Sequence, residues 1–279
     1  MKLTVLIDNL PGAPGLVNEF GLSIFLEANG RKVLFDTGTT GMFIGNARKL
    51  GVDLQAVDLA ILSHGHYDHG GGLESFFYAN ATAPLFLRTT ADADHYRDLS
   101  PGKHYIGLDK KMLEANRQRL RWVNEDTEIA PGFHIITSIP SSEFRPDTSA
   151  RLLVKKGEEY LPDTFTHELA LAVKEDDGVT LITGCGHLGV LNMLAAARAR
   201  FPKEKIKAVI GGFHLIGDSD KLSMAVSKET VQAIARRFGE LGANKVISGH
   251  CTGKEASALL AVELGPSYEE LCTGSRFEV

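Results

Sequence analysis

Four apolar runs in this chain end in histidine: AVDLAILSH at His64, VTLITGCGH at His187, KAVIGGFH at His214 and KVISGH at His250. Runs of this kind, alternating with segments of helical apolar spacing, point to strands and helices in turn rather than to an all-helical or all-β chain. In open α/β sheets the groups that hold ligands gather beyond the carboxyl ends of strands, where loops converge without disturbing the packed interior. Imidazole at four strand ends therefore predicts a layered α/β (α+β) fold organised around one ligand site.

The rest of the chain fits that frame. Residues 3–8, 21–28 and 31–38 read as strands, with Asn29-Gly30 as the tight turn between the last two. Residues 40–51 carry helical spacing and a terminal glycine. After residue 168 the pattern is regular: strand LALAVKE, turn DDG, strand VTLITGCGH, helix LGVLNMLAAARARF, strand KAVIGGFHL, helix SKETVQAIARRFGELG, strand KVISGH and a helix over about 254–264. Residues 80–150 mix short strands such as APLFLRT with polar stretches and one charged helix around 110–120. We read this stretch, including GKHYIG, as an inserted lid-like segment within a single domain spanning 1–279. The two β-then-α halves suggest a duplicated layer plan.

Three histidines and one aspartate occupy six positions at 64–69, followed by three glycines. Residues two apart in an extended segment point the same way, so His64 and His66 can grip one metal ion, while Asp68 and His69, at the turn into the next helix, can face a second. Gly70, Gly71 and Gly72 let the backbone turn and approach closely with no Cβ in the way. The distant strand-end donors Cys185, His187, His214 and His250 complete the set of ligand types. His95, His104 and His134 show no partner pattern and receive no role.

The motif HxHxDH after an apolar strand, with LFDTG upstream, resembles the signature of the metallo-β-lactamase superfamily. The blocks EFGLSIFLEANGRKVLFDTGTT, LSHGHYDHGGGL, GVTLITGCGHLGVLN, VIGGFHL and SGHCTG are similar to the metal-dependent hydrolase subgroup that includes dihydropterin ribofuranosylaminobenzene phosphate synthases. The resemblance implies a four-layer αββα sandwich holding one or two divalent ions, zinc above all, with manganese and iron suited to the same ligands. It also implies that His64, His66, Asp68 and His69 form the first metal motif and His250 the last. Where most members show Gly-Asp at a strand end this chain has GCGH, so the middle ligand is read as His187, with the Cys185 thiolate as the alternative and His167 or Glu168 as further candidates. Asp36 would buttress the ligands by accepting a hydrogen bond from a coordinated imidazole. His214 is read as a catalytic contact to substrate or leaving group, with Asp68 both ligating and orienting the nucleophile. Cys251, Thr252, Gly253 and Lys254, at a helix start, are read either as an anion site for phosphate or as plain capping, and Lys228 as a helix-face charge.

Composition limits the partners. A net charge of −5 offers no basic footprint for nucleic acid or anionic membrane, and no run approaches the ~18 apolar residues of a membrane helix. Three cysteines, an odd and sparse set, argue against a disulfide framework and for a reducing cytoplasm. The expected function is metal-dependent hydrolysis of a small, phosphoester-like substrate. The alternatives are a transferase that condenses a dihydropterin pyrophosphate with ribofuranosylaminobenzene phosphate, and a non-catalytic metal-binding sensor.

Overall fold

The computed structural model describes residues 1–99, 101–217 and 223–279. The chain is a mixed α/β protein that divides into two compact units: residues 1–124, 149–168 and 272–278 form the first, and residues 125–148 and 169–271, with Val279, the second.

In the first unit a sheet is built from β1 (Lys2–Ile7), β2 (Ser23–Ala28), β3 (Arg31–Phe35), β4 (Leu59–Ile61), β5 (Leu85–Arg88), β8 (Leu120–Val123) and β18 (Arg276–Glu278), in the order β18-β1-β2-β3-β4-β5-β8. Strands β18 to β3 pair antiparallel, and β3 to β8 pair parallel. The β2–β3 hairpin turns through Asn29 and Gly30 at φ 50° and 72°, the left-handed pair of a type I′ turn that the Asn-Gly dipeptide predicts. A second, four-stranded sheet in this unit runs β12 (Glu159–Pro162), β11 (Leu152–Lys156), β6 (Asp94–Leu99), β7 (Gly102–Tyr105). Helices α1 (Met42–Lys49), α2 (Tyr67–Gly70), α3 (Leu73–Ala79) and α4 (Lys110–Ala115) accompany them. Phe43, Leu73, Phe76, Phe77 and Met112 from these helices join Leu34, Ala60 and Leu85 of the larger sheet in one buried cluster.

The second unit repeats the plan. Its sheet comprises β9 (Thr127–Ala130), β10 (Phe133–Ile136), β13 (Ala170–Glu175), β14 (Gly178–Thr183), β15 (Ile206–Gly211), β16 (Val246–Ser248) and β17 (Tyr268–Glu270). Pairing is antiparallel from β9 to β14 and parallel from β14 to β17. Every residue of β14 is buried, as its continuous apolar run requires of a strand covered on both faces. Helices α5 (Val190–Arg200), α6 (Lys228–Glu240) and α7 (Lys254–Leu264) pack against this sheet. In α6 the buried positions Val231, Ile234, Ala235 and Phe238 follow the i, i+3, i+4, i+7 stripe, and Ser227 caps the helix by accepting from the Thr230 amide.

Of the stretch read as lid-like, β5 and β8 belong to the first unit's larger sheet, β6 and β7 to its smaller sheet, and β9 and β10 to the sheet of the second unit. These strands are four to six residues long and several are only partly buried, so they show neither clean alternation nor a long apolar run. The charged helix expected near 110–120 is α4, capped by Asp109, followed by one 3₁₀ turn.

Asn80 locks the loop after α3. Its buried side chain donates to the carbonyls of Leu54, Gln55 and Val57 and accepts from the amides of Thr82 and Ala83. Asn80→Ala leaves these buried groups without partners and should cost about 3 kcal/mol of unfolding free energy. Denaturant titration that finds the variant within about 0.5 kcal/mol of the parent would contradict this account.

Candidate metal centre

In each unit the candidate ligands stand where the parallel strands of its own sheet end. In the first unit, β3 runs out at Phe35 and the next residue, Asp36, adopts a left-handed φ of 59°. Such a backbone costs energy for a residue other than glycine, and it persists here under tight hydrogen bonding. The Asp36 amide donates to Ile61 O. Its carboxylate accepts from the Ser63 amide at 2.7 Å, the Ser63 hydroxyl at 2.7 Å and His69 Nδ1 at 2.6 Å. A carboxylate only accepts, so His69 Nδ1 carries a proton. The Ser63 hydroxyl, donating to Asp36, accepts from His64 Nδ1 at 2.9 Å, which fixes the same tautomer there. One buried carboxylate thus orients two imidazoles.

His64, His66 and Asp68 are buried and offer donor atoms that lie within 4.8 Å of one another. The His64 ring stands 4.6 Å from His66 and 4.2 Å from His69, centre to centre. His69 Nε2 lies 3.7 Å from Asp68 Oδ2. Burial, with His167 and His95 nearby, pushes His66 well below the usual histidine range, so it is a neutral donor. Burial would also lower His69, yet Asp36, Asp68 and Glu168 together hold it above its ordinary value.

The three glycines allow this. A Cβ on Gly71 would meet Thr39 O at 2.1 Å, and one on Gly72 would meet Thr37 O at 2.3 Å. The backbone that follows the motif therefore packs directly on the loop after β3.

In the second unit β14 leads to Cys185 and His187, β15 to His214, and β16 to His250. His214 and His250 adopt left-handed φ values of 50° and 51°. Cys185 Sγ lies 3.3 Å from His250 Nε2, and the His187 and His214 rings stand 4.1 Å apart. Cys185, His214 and Cys251 offer donor atoms within 4.8 Å of one another. The Thr252 hydroxyl accepts from the Phe213 amide and bonds Ser248, while the Cys251 thiol donates to Cys185 O. Gly253 stands at the N-cap of α7, where no side chain caps the helix, and Lys254 is exposed.

His167 and Glu168 lie in the first unit, both buried. Both nitrogens of His167 are engaged: Nδ1 accepts from the Gly65 amide at 2.9 Å and Nε2 donates to Asp163 at 3.1 Å. Asp163 also accepts from His95 Nδ1 at 2.9 Å. Burial alone would raise the Asp163 carboxyl, but its bonds to His167 and His95 hold it far below the usual carboxylate range. Sequence reasoning missed Ser63, His95 and Asp163. Their partners lie up to 68 residues away, and the only local signal is the turn-prone PDTF stretch, where Asp163 also accepts from the Phe165 amide and Phe165 takes a φ of 56°.

Two outcomes follow. Asp36→Asn replaces one of the two accepting oxygens with a donor and removes the charge that sets two tautomers, and should weaken metal binding roughly 10- to 100-fold, measured by competition with a chromophoric chelator. In the metal-free chain His167 is lowered to about 4, chiefly by burial. The unfolded chain takes up a proton at this residue below about 6.5 and the folded chain does not until about 4, so stability falls as pH falls through that window. His66 acts in the same direction, whereas His69, being raised, loses its contribution only as pH rises above 6.5. Urea midpoints in chelator should therefore drop from pH 6.5 to 4, and less steeply in His167→Gln; an equal slope in the variant would refute the assignment.

The metallo-beta-lactamase superfamily profile matches residues 17–250. The chain is 28% identical over 270 residues to the 7,8-dihydropterin-6-methyl-4-(beta-D-ribofuranosyl)-aminobenzene-5'-phosphate synthase of Methanocaldococcus jannaschii, covering 92% of this chain and 89% of that one. It is 28% identical over 170 residues to the anti-Pycsar protein Apyc1 of Saccharibacillus brassicae, covering 58% of this chain and 69% of that one. The crystal structure of a metal-dependent hydrolase of the beta-lactamase superfamily superposes with a TM-score of 0.82 at 32% identity, covering 100% of this chain and 99% of that one. The strand-end donors, the carboxylate behind them and this whole-length likeness agree: the chain belongs to the metallo-beta-lactamase superfamily and shares its fold.

Proposed function

We propose that this protein is a metal-dependent hydrolase of a small, phosphoester-like substrate. The observation that carries the reading is the buried cluster of His64, His66 and Asp68 in the first unit, beside a His69 ring whose tautomer Asp36 fixes. Neutral imidazoles and a carboxylate with their orientations set by hydrogen bonds suit a divalent ion, and zinc fits them best, with manganese and iron accepting the same donors. We assign His64, His66, Asp68, His69, His187 and His250 as ligands to one or two ions, with Cys185 the alternative to His187. A divalent ion so held supplies Lewis acidity and lowers the pKa of water from 15.7 toward about 7.

The protein's own residues do the remaining work. Asp68 ligates and aligns the nucleophile. His214, held in place by its amide on Cys251 Sγ and its carbonyl on the Thr148 hydroxyl, contacts the leaving group. Of the segment from Cys251 to Lys254, the amides of Cys251, Gly253 and Lys254 receive substrate phosphate, the Thr252 amide being engaged by Gly249 O. The proposed setting is the cytoplasm, a reading that the three free cysteines support. No helix among the described residues is long and apolar enough to cross a membrane.

A second reading is favoured by a specific finding. The M. jannaschii relative, similar over 92% of this chain, is a synthase, and it fits a transferase better than a hydrolase. In that case this chain condenses a dihydropterin pyrophosphate with ribofuranosylaminobenzene phosphate and releases pyrophosphate. The 32% identical relative named as a metal-dependent hydrolase supports the first reading.

One experiment separates them. Metal-loaded protein is offered a panel of phosphodiesters, phosphomonoesters, lactones and thioesters, and separately the two pterin-pathway substrates together. Turnover in the panel supports hydrolysis, a coupled pterin product supports the transferase, and silence in both arms leaves the sensor reading. His66→Ala should reduce bound metal to well under one ion per chain and activity by at least about 100-fold; retention of full metal content would exclude His66 as a ligand.

A further inference from the structure

The ring to which the sequence assigned no role, His95, sits in the first unit's smaller sheet on β6, yet it is 1% exposed. Its Nδ1 lies 2.9 Å from Asp163 Oδ2. That oxygen also accepts from His167 Nε2, whose direction is certain because His167 Nδ1 is already the acceptor for the Gly65 amide. Asp163 is therefore an ionised acceptor for two imidazole protons. His95 carries its proton on Nδ1, and its Nε2 presents a bare lone pair.

That nitrogen is buried and has no hydrogen-bond partner among the described residues. A buried acceptor left this way is costly unless something outside the chain binds it. The ring beside it is His66, 5.5 Å away centre to centre and nearly perpendicular at 78°. Two imidazoles on one tetrahedral ion, with metal–nitrogen bonds of 2.0–2.1 Å, place their ring centres about 5 Å apart. His66 and His95 offer ligand atoms within 4.8 Å of each other, with Asp163 and His167 in the same group.

The arrangement also has a counterpart within this unit. Asp36 on His69 Nδ1 is a carboxylate–histidine pair, and Asp163 on His95 Nδ1 is built the same way. His167 is the brace. It ties Asp163 to the Gly65 amide, inside the HGH segment itself, and a Cβ at Gly65 would meet Ala91 O at 2.2 Å, so this backbone has no room to drift.

We propose that His95 is a further metal ligand, binding through Nε2 an ion shared with His66, with Asp163 and His167 as positioning residues that set its tautomer. The inference rests on the metal reading of the preceding section and adds a donor that the HxHxDH pattern does not contain.

Cobalt(II) titration of the metal-free protein tests it. His95→Ala should weaken cobalt binding at least tenfold and change the visible ligand-field spectrum, and Asp163→Asn should weaken it in the same direction with a smaller spectral change. Unchanged affinity and spectrum in His95→Ala, with the parent protein binding cobalt normally, would overturn the proposal while leaving the metal reading intact. A parent protein that binds no cobalt or zinc would remove both. Should His95→Ala fail to fold, long-range ¹H–¹⁵N spectra of the unaltered protein decide: zinc must move the His95 Nε2 resonance away from the bare-nitrogen position, and a resonance that stays there refutes ligation.

Discussion

The Asp36 carboxylate receives three hydrogens: the Ser63 amide, the Ser63 hydroxyl and His69 Nδ1. Through the hydroxyl it also governs His64. It sits at the end of one parallel strand and grips the end of the next, so the same contacts that close the sheet edge also set the imidazoles. A carboxylate that is fully buried, as this one is, demands such partners, since an uncompensated buried charge costs several kcal/mol. Its left-handed backbone is the consequence of turning the chain sharply enough to bring that carboxylate back over β4.

The second unit follows the same logic with different atoms. Its parallel strands end in Cys185, His187, His214 and His250, and two of these four adopt left-handed φ. Among the described residues, backbone strain is concentrated at the candidate ligands and their neighbours: of the non-glycine residues with positive φ, Asn29 makes a hairpin, Phe165 lies beside Asp163 and His167, and the rest are Asp36, His214 and His250. Each unit thus pairs a regular sheet with irregular backbone at one end of its parallel strands, the division of labour expected of a rigid scaffold carrying loop-borne function.

The four-stranded sheet adds a second layer of control to the first unit. Its position in the chain is split, with β6 and β7 coming before β8 and β11 and β12 after β10, and it delivers His95 next to His66 while the loop after β12 supplies Asp163 and His167. Two carboxylate–histidine pairs in one unit, each with a proton directed to Nδ1, preorganise the rings.

Much of this was legible in the residues themselves. The strand-like runs and the Asn-Gly turn pointed to the β2–β3 hairpin, helical apolar spacing pointed to α6, and ligand-type residues at strand ends marked the candidate site, because these signals are local and depend only on backbone geometry. The stretch from 80 to 150 was not legible: its strands are short, partly exposed and distributed among three sheets, so their pairing depends on partners far away in the chain. Ser63, His95 and Asp163 escaped notice for the same reason. A serine before a histidine, a histidine on a short, partly buried strand and an aspartate in a turn acquire meaning only when contacts spanning 27, 68 and 102 residues bring Asp36 to Ser63, Asp163 to His95, and His167 to Gly65. The sequence by itself determined which ligand-type residues exist and that they lie at strand ends; the tertiary structure decided which nitrogen of His64, His69, His95 and His167 carries a proton toward a partner, because tautomers are set by hydrogen-bond partners that only folding brings together.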